Sequence, residues 1–368
     1  MSPSRLFQPL KVGNATVQHR IAMAPLTRFR ADENHVPLPF VKEYYAQRAS
    51  VPGTLLVTEA TLISKQAGGY PNVPGIWSKE QIAAWKEVVD AVHAKGSFIY
   101  LQLWALGRVA NPDHAKKEGI EVKSASAIPE AEGKAVPKEF TKEDIKSFTD
   151  DYAQAARNAV EAGFDGVEIH GANGYLIDQF IQDNTNQRTD DYGGSVENRS
   201  RFAIGVATAV VDAIGSAKVG IRLSPWSDFQ GMKMKDPVPQ FTDVINKLKT
   251  QKLAYLHLVE SRISGNADSE ATEGVDFAVK VWDNTSPVFI AGGFTPESAK
   301  RLVDEEYKDR DVVVVFGRHF ISTPDLPFRI LKGIELTPYD RDTFYNAGET
   351  RGYTDWPFSE EFKKEIQI

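Results

Sequence analysis

Along the chain, short runs rich in β-branched and apolar residues alternate with longer stretches whose apolar positions recur every three to four residues. The runs at 20–25, 54–59, 98–103, 166–170, 219–223, 255–259, 288–291 and 312–316 predict strands. Phe98-Ile99-Tyr100-Leu101 and Val312-Val313-Val314-Val315 are unbroken in apolar residues, as strands covered on both faces must be. Ser78 with Gln81 three residues on predicts a capped helix start before Ile82, Trp85, Val88, Val89 and Val92, with its end at Gly96. Thr141 opens a second helix, through Ile145, Phe148, Tyr152, Ala155, Ala156 and Val160, that stops at Gly163. Pro296 and Pro324 are read as early helical positions, where a missing N–H costs nothing. Strand then helix, repeated throughout, predicts an α/β fold of the (β/α)8 TIM barrel kind; a doubly wound open sheet shares the pattern.

Three segments fall outside the repeat. Residues 6–19, with Gly13-Asn14 as a turn signal, predict an N-terminal hairpin plug. Residues 111–137 form a polar excursion too long for an ordinary strand-to-helix loop, and are expected to shape a site. The C-terminal extension, 337–368, is expected to pack over the barrel or against another subunit. No linker-like tract divides the chain, so 1–368 is expected to be a single domain, although 368 residues alone would also suit two.

Composition narrows the chemistry. Lys and Arg number 43 against 50 Asp and Glu, a net charge of −7, and no basic run exceeds Lys116-Lys117, which argues against nucleic acid as a partner. No apolar run approaches the roughly 20 residues that span a bilayer. The first residues lack a basic start followed by an apolar stretch, so a soluble, cytoplasmic protein with no membrane partner is expected. The chain has no cysteine, which removes disulfides, thiolate nucleophiles and iron–sulfur clusters. Redox chemistry must then come from a bound cofactor. His93, His114 and His257 lack metal-ligand spacing, and no metal site is expected.

In such a barrel the chemistry sits at the C-terminal ends of the strands. The fourth strand ends His170-Gly171-Ala172-Asn173-Gly174-Tyr175. His170 and Asn173 offer two donors to one oxygen and Tyr175 a weak acid, which suits chemistry that builds negative charge on a carbonyl. A histidine standing alone would more simply satisfy its own loop. Gln102 and Arg222 are expected to point inward, and a buried Arg needs an anionic or carbonyl partner. Glu59 or Glu168 would serve, as would a heterocycle with imide-like edges. Gly292-Gly293 and Gly317-Arg318, after strands seven and eight, suit a phosphate. Asp190 to Gly194 reads as a turn into a helix from Ser195, and Gly68-Gly69-Tyr70 as either a plain turn or an aromatic hung over the site.

Taken in order, Met23-Ala24-Pro25-Leu26-Thr27-Arg28, Gln66-Ala67-Gly68-Gly69-Tyr70, Gln102-Leu103-Trp104, Gly166 through Leu176, Asp190 through Arg201, Arg222-Leu223-Ser224-Pro225 and Phe316-Gly317-Arg318 make the chain resemble the Old Yellow Enzyme family of flavin-dependent ene-reductases along almost its whole length. The resemblance implies non-covalent FMN, with Thr27 at the flavin C4 carbonyl side, Pro25 and Leu26 behind the ring and Ala60 close to it. It implies Gln102 and Arg222 at the pyrimidine edge, and Gly293, Gly317 and Arg318 on the phosphate. His170 and Asn173 would bind the substrate oxygen, Tyr175 would donate the proton, and Tyr70, Trp104 and Tyr345 would line the pocket. NADPH or NADH would supply hydride, in ping-pong exchange, for the reduction of enones, enals or nitro-olefins by a monomer or homodimer. The residues 262–273 match no fixed family pattern, so substrate range does not carry over. An isomerase of the same family is the alternative. A phosphate-binding lyase barrel would want a Schiff-base lysine at a strand end, and Lys218 precedes strand five.

Overall fold

The computed structural model describes residues 4–265 and 267–366, so the two last residues of the tail and one residue of the segment 262–273 lie outside it. Its centre is a ring of parallel strands: β1 (Ile21–Met23), β2 (Leu55–Val57), β3 (Phe98–Trp104), β4 (Gly166–Gly171), β5 (Val219–Leu223), β6 (Tyr255–Val259), β7 (Val288–Ala291) and β8 (Val312–Phe316). Each pairs with the next, and β8 pairs back onto β1. This closure is what a (β/α)8 barrel requires and an open doubly wound sheet lacks.

Around the ring lie α1 (Val41–Arg48), α2 (Lys79–His93), α3 (Lys142–Glu161), α4 (Val196–Ile214), α5 (Pro237–Lys249), α6 (Asp276–Trp282), α7 (Pro296–Arg301) and α8 (Leu326–Lys332). The capping boxes form at Ser78 with Gln81 and at Thr141 with Asp144, and Pro296 occupies the first turn of α7. Pro324 is a correction. It lies in the turn between a short helix, Arg318–Ser322, and α8, whose own first turn carries Pro327. The additional helix after β8 moves the start of α8 two residues onward.

Strand residues alternate between two cores. Ile99, Leu101, Leu103, Val167, Ile169, Ile221 and Leu223 face the helices, in one cluster with Trp85, Phe148 and Phe202. Ala22, Leu55, Tyr100, Tyr255, Phe289 and Val313 face the axis. The hairpin Leu10–Val12 with Ala15–Val17 inserts Leu10, Val12 and Val17 into that inner cluster and closes the end where the strands begin.

Residues 111–137 fold into a helix, Pro112–Glu118, and a short strand, Lys123–Ser124, that pairs in parallel with Lys138–Glu139. They do not line the main cavity. They brace it from behind: Arg108 donates to Pro129 O at 2.9 Å and to Gln230 O at 2.9 Å. The tail packs over the barrel, held by three buried arginines. Arg28 donates to Phe344 O (2.9 Å) and Gly352 O (2.8 Å), Arg30 to Glu349 O (3.0 Å), and Arg48 to Tyr353 O (3.2 Å). Tyr353 stacks on Tyr44 at 4.0 Å.

Candidate active site

Because side chains alternate along a strand, the same register that buries Tyr100 and Tyr255 inward also turns Gln102, Glu168, Arg222 and His257 inward, one layer nearer the strands' C-terminal ends. Gly166 and Gly220 make room below them: a Cβ at either would come within 2.3 Å of the Tyr100 or Tyr255 ring. Glu168 organises the layer. Its carboxylate accepts from Gln102 Nε2 at 2.8 Å, Tyr255 OH at 3.0 Å and His257 Nδ1 at 2.8 Å. Burial opposes ionisation of Glu168, yet His257, Arg222 and Gln102 hold its pKa below the ordinary value. Burial also lowers the pKa of His257, against the pull of Glu168.

Glu168 therefore lies close enough to set the charge balance of Arg222, while its hydrogen bonds go elsewhere. Arg222 Nε is buried with no hydrogen-bond partner among the described residues, and the side chain lines the cavity. Glu59, the other candidate partner, is not there. It accepts from the backbone N–H of Arg28 at 3.2 Å, and burial pushes its carboxyl up to about 7.

The fourth strand's end is built for donation. The Ala172 N–H points at His170 Nδ1 at 3.3 Å, which leaves the ring proton of a neutral imidazole on Nε2. Burial, then Arg222 and His257, push the pKa of His170 well below 6.5, so the ring is a neutral donor. Asn173 has φ +58, a conformation that asparagine tolerates better than most residues, and its N–H is held by Ser224 Oγ at 2.8 Å. Tyr175 is partly buried at the cavity wall, and desolvation raises its phenol well above 10, so it stays protonated. Its ring packs edge-on against Trp104 (5.0 Å) and His170 (4.9 Å), and Tyr70 packs edge-on against Trp104 at 5.9 Å. Burial pushes Tyr70 up to about 12.

These groups face a cavity of about 480 Å³ lined by Pro25, Leu26, Thr27, Ala60, Tyr70, Gln102, Trp104, His170, Asn173, Tyr175, Arg222, Arg318 and Tyr345. An adjoining cavity of about 270 Å³ is lined by Gly292, Gly293, Gly317 and again Arg318. Every residue singled out in the sequence as a site candidate borders one or both. Sequence reasoning missed Phe29, Phe229, Gln230 and Phe344, which also line the larger space. Gln230 donates to Asn173 O at 2.5 Å, and only its place just before Gly231 in the loop after β5 hinted at a role. Arg318 is engaged by Asp268, which accepts at 2.6 and 3.1 Å.

A buried guanidinium lacking an acceptor calls for an electron-rich heterocycle, and the glycine-lined space beside it for a phosphate. Those two demands, met together at the strand ends of a closed barrel, suit a phosphorylated heterocyclic cofactor. The profile of the NADH:flavin oxidoreductase / NADH oxidase family matches residues 5–337, and the chain belongs to that family. It is 58% identical to the NADP-dependent oxidoreductase lnbE of Aspergillus flavus, over 97% of each chain. It is 59% identical to the chanoclavine-I aldehyde reductase fgaOx3 of Penicillium roqueforti, over 99% of each. A third relative, 54% identical over 98% of this chain and 97% of its own, is the probable inactive reductase easA of Epichloe festucae var. lolii. Among solved structures, the Old Yellow Enzyme from Pichia sp. AKU4542 superposes with a TM-score of 0.90 at 38% identity, covering 98% of this chain and 95% of that one. The cofactor is FMN, and the unpartnered Arg222 Nε and the paired cavities fit it.

Proposed function

We propose that the protein is an NADPH-dependent ene-reductase that saturates the activated C=C bond of enals, enones or nitro-olefins. The observation that carries the reading is the convergence on one cavity of a neutral His170 donor, Asn173 and a protonated Tyr175. Bound FMN supplies hydride transfer, from NADPH to the substrate. In this reading Gln102 and Arg222 hold the flavin's polar edge, with Thr27 at its other carbonyl and Pro25, Leu26 and Ala60 against the ring. Gly293, Gly317 and Arg318 hold its phosphate. His170 Nε2–H and the Asn173 amide bind the substrate oxygen and draw electron density toward it, leaving the β-carbon electron-poor. The Tyr175 hydroxyl donates a proton to the α-carbon, so one NADPH and one proton are consumed per double bond. Trp104, Tyr70 and Tyr345 wall the space in which the substrate would lie.

The preference for NADPH rests on the name of the Aspergillus relative, and an aldehyde as substrate on that of the Penicillium relative. The acidic, cysteine-free composition suits a cytoplasmic enzyme. The test is anaerobic. FMN-loaded protein should lose its yellow colour with NADPH and recover it with 2-cyclohexenone, giving cyclohexanone. Recovery with no saturated product, or an enone that is merely isomerised, overturns the reading.

A further inference from the structure

A second cluster of ligating side chains lies outside the cavity, where the loop after β1 meets the helix Pro112–Glu118. His114 and Glu118 stand one turn apart on that helix, on one face. His35 reaches them from the loop. Its Nε2 lies 3.1 Å from Glu118 Oε1, and His114 Nε2 lies 2.9 Å from the same oxygen. The three side chains are largely enclosed, with exposures of 6%, 18% and 15% for His35, His114 and Glu118.

Hydrogen bonds and burial fix the orientation of the cluster's ligand atoms. His35 Nδ1 is 2.6 Å from Val73 O, which only accepts, so Nδ1 carries the proton. With Nδ1 committed to that carbonyl, Nε2 is the His35 nitrogen that faces Glu118 Oε1, at 3.1 Å. Glu118 Oε2 is buried with no hydrogen-bond partner among the described residues, and the buried His114 Nε2 meets Oε1 without hydrogen-bond geometry. One ring nitrogen from each imidazole and a carboxylate oxygen all lie within 4.8 Å of one another, a spacing that three ligands of one cation can adopt. A ring nitrogen whose opposite N–H is fixed on a backbone carbonyl is the usual setting of a metal-bound histidine.

We propose that His35, His114 and Glu118 bind a divalent cation of the zinc class as a structural site. Two imidazoles and one carboxylate are a borderline-soft set that suits Zn²⁺ over Mg²⁺ or Ca²⁺, with the fourth position left to water. Bonds of about 2.0–2.1 Å to a tetrahedral centre space the ligands by about 3.3 Å, so the two nitrogen–oxygen contacts need to open by only a few tenths of an ångström, while the two nitrogens, within 4.8 Å of each other, settle at the same spacing. The ion joins the loop after β1, which borders the active-site cavity, to a helix that braces the cavity from behind. The loop after β1 also carries Phe29. The helix supports Gly69, whose Cβ position is filled by Ala110 and approached by Ala115, and Gly69 precedes Tyr70. No step of the reductase chemistry depends on this site.

The test uses FMN-loaded protein stripped with a chelator and then titrated with Zn²⁺ alone against a competing dye. One Zn²⁺ per chain, a raised thermal midpoint, and two nitrogen ligands in the Zn X-ray absorption edge are expected. His114→Gln and Glu118→Gln should each weaken binding by about 100-fold while keeping FMN. His35→Asn, which preserves tolerance of φ +59, should do the same. Absence of stoichiometric binding, or binding that survives these substitutions, overturns the proposal.

Discussion

Replacing Tyr175 by phenylalanine removes one oxygen atom and leaves the ring in place. The ring contacts with Trp104 at 5.0 Å and His170 at 4.9 Å need only carbon, so the shape of the cavity is retained. What is lost on the protein side is the hydroxyl's polar interaction with Gln230, about 1 kcal/mol of stability or less. What is lost on the chemical side is the proton donor, and general acids contribute about 10²–10⁴ in rate, or about 2.7–5.4 kcal/mol at the barrier. Stopped-flow absorbance separates the two halves of turnover. Bleaching by NADPH needs no proton at the α-carbon and should change by no more than about threefold, whereas colour return with 2-cyclohexenone should slow by about 10²–10⁴. Wild-type speed in the second half, or equal slowing of both, would refute the assignment of Tyr175 as the acid.

His170→Ala with Asn173→Ala should abolish the charge-transfer band that a bound phenol gives with the oxidised flavin, and loss of either donor alone should cost about 10²–10³ in enone reduction; a persistent band would reject them as the oxygen-binding pair. Asp268→Asn should release Arg318 and tighten FMN binding by about two- to fivefold, the scale of an exposed ion pair, measured by flavin fluorescence. Weaker binding instead would show that Asp268 positions the guanidinium. His19 is buried and its pKa is lowered to about 4 by burial, while the unfolded value is about 6.5, so the unfolded state binds more protons between those limits. Stability from this group is therefore whole above pH 6.5 and falls by about 3 kcal/mol as pH drops to 4. Chemical denaturation across that range should show a shallower acid loss in His19→Gln, and parallel curves would remove His19 as the cause.

The parts legible in sequence were those set by local rules. Strand periodicity located all eight barrel strands to within one or two residues, because burial on both faces leaves no ambiguity in runs such as Val312 to Val315. Ser78, Thr141 and Pro296 announced helices because capping is decided within four residues. The misreadings involve partners distant in sequence. Pro324 obeys the helix-start rule in composition but is displaced by the extra helix after β8. Glu59 was a reasonable partner for Arg222, yet the fold gives it to Arg28 and leaves Glu168 with Gln102, Tyr255 and His257. Phe229 and Gln230 belong to the cavity because the Arg108 guanidinium ties their loop to residue 129, a contact with no local signature. His35 with His114 is of the same kind.

The arginines beneath the tail also set an order of events during synthesis. Arg28 leaves the ribosome 316 residues before Phe344 O, the carbonyl that its Nε will engage. β1 likewise waits for β8 before its second edge is paired. Until the final segment emerges, the nascent barrel carries an open seam and buried-to-be guanidiniums still dressed in water, and Phe344 and Tyr345 have yet to wall the cavity. Such distant pairings fold slowly, since long loops must close before their contacts stabilise anything. A translation pause or a truncation before residue 344 should therefore yield a chain that aggregates or recruits chaperones rather than a smaller working enzyme.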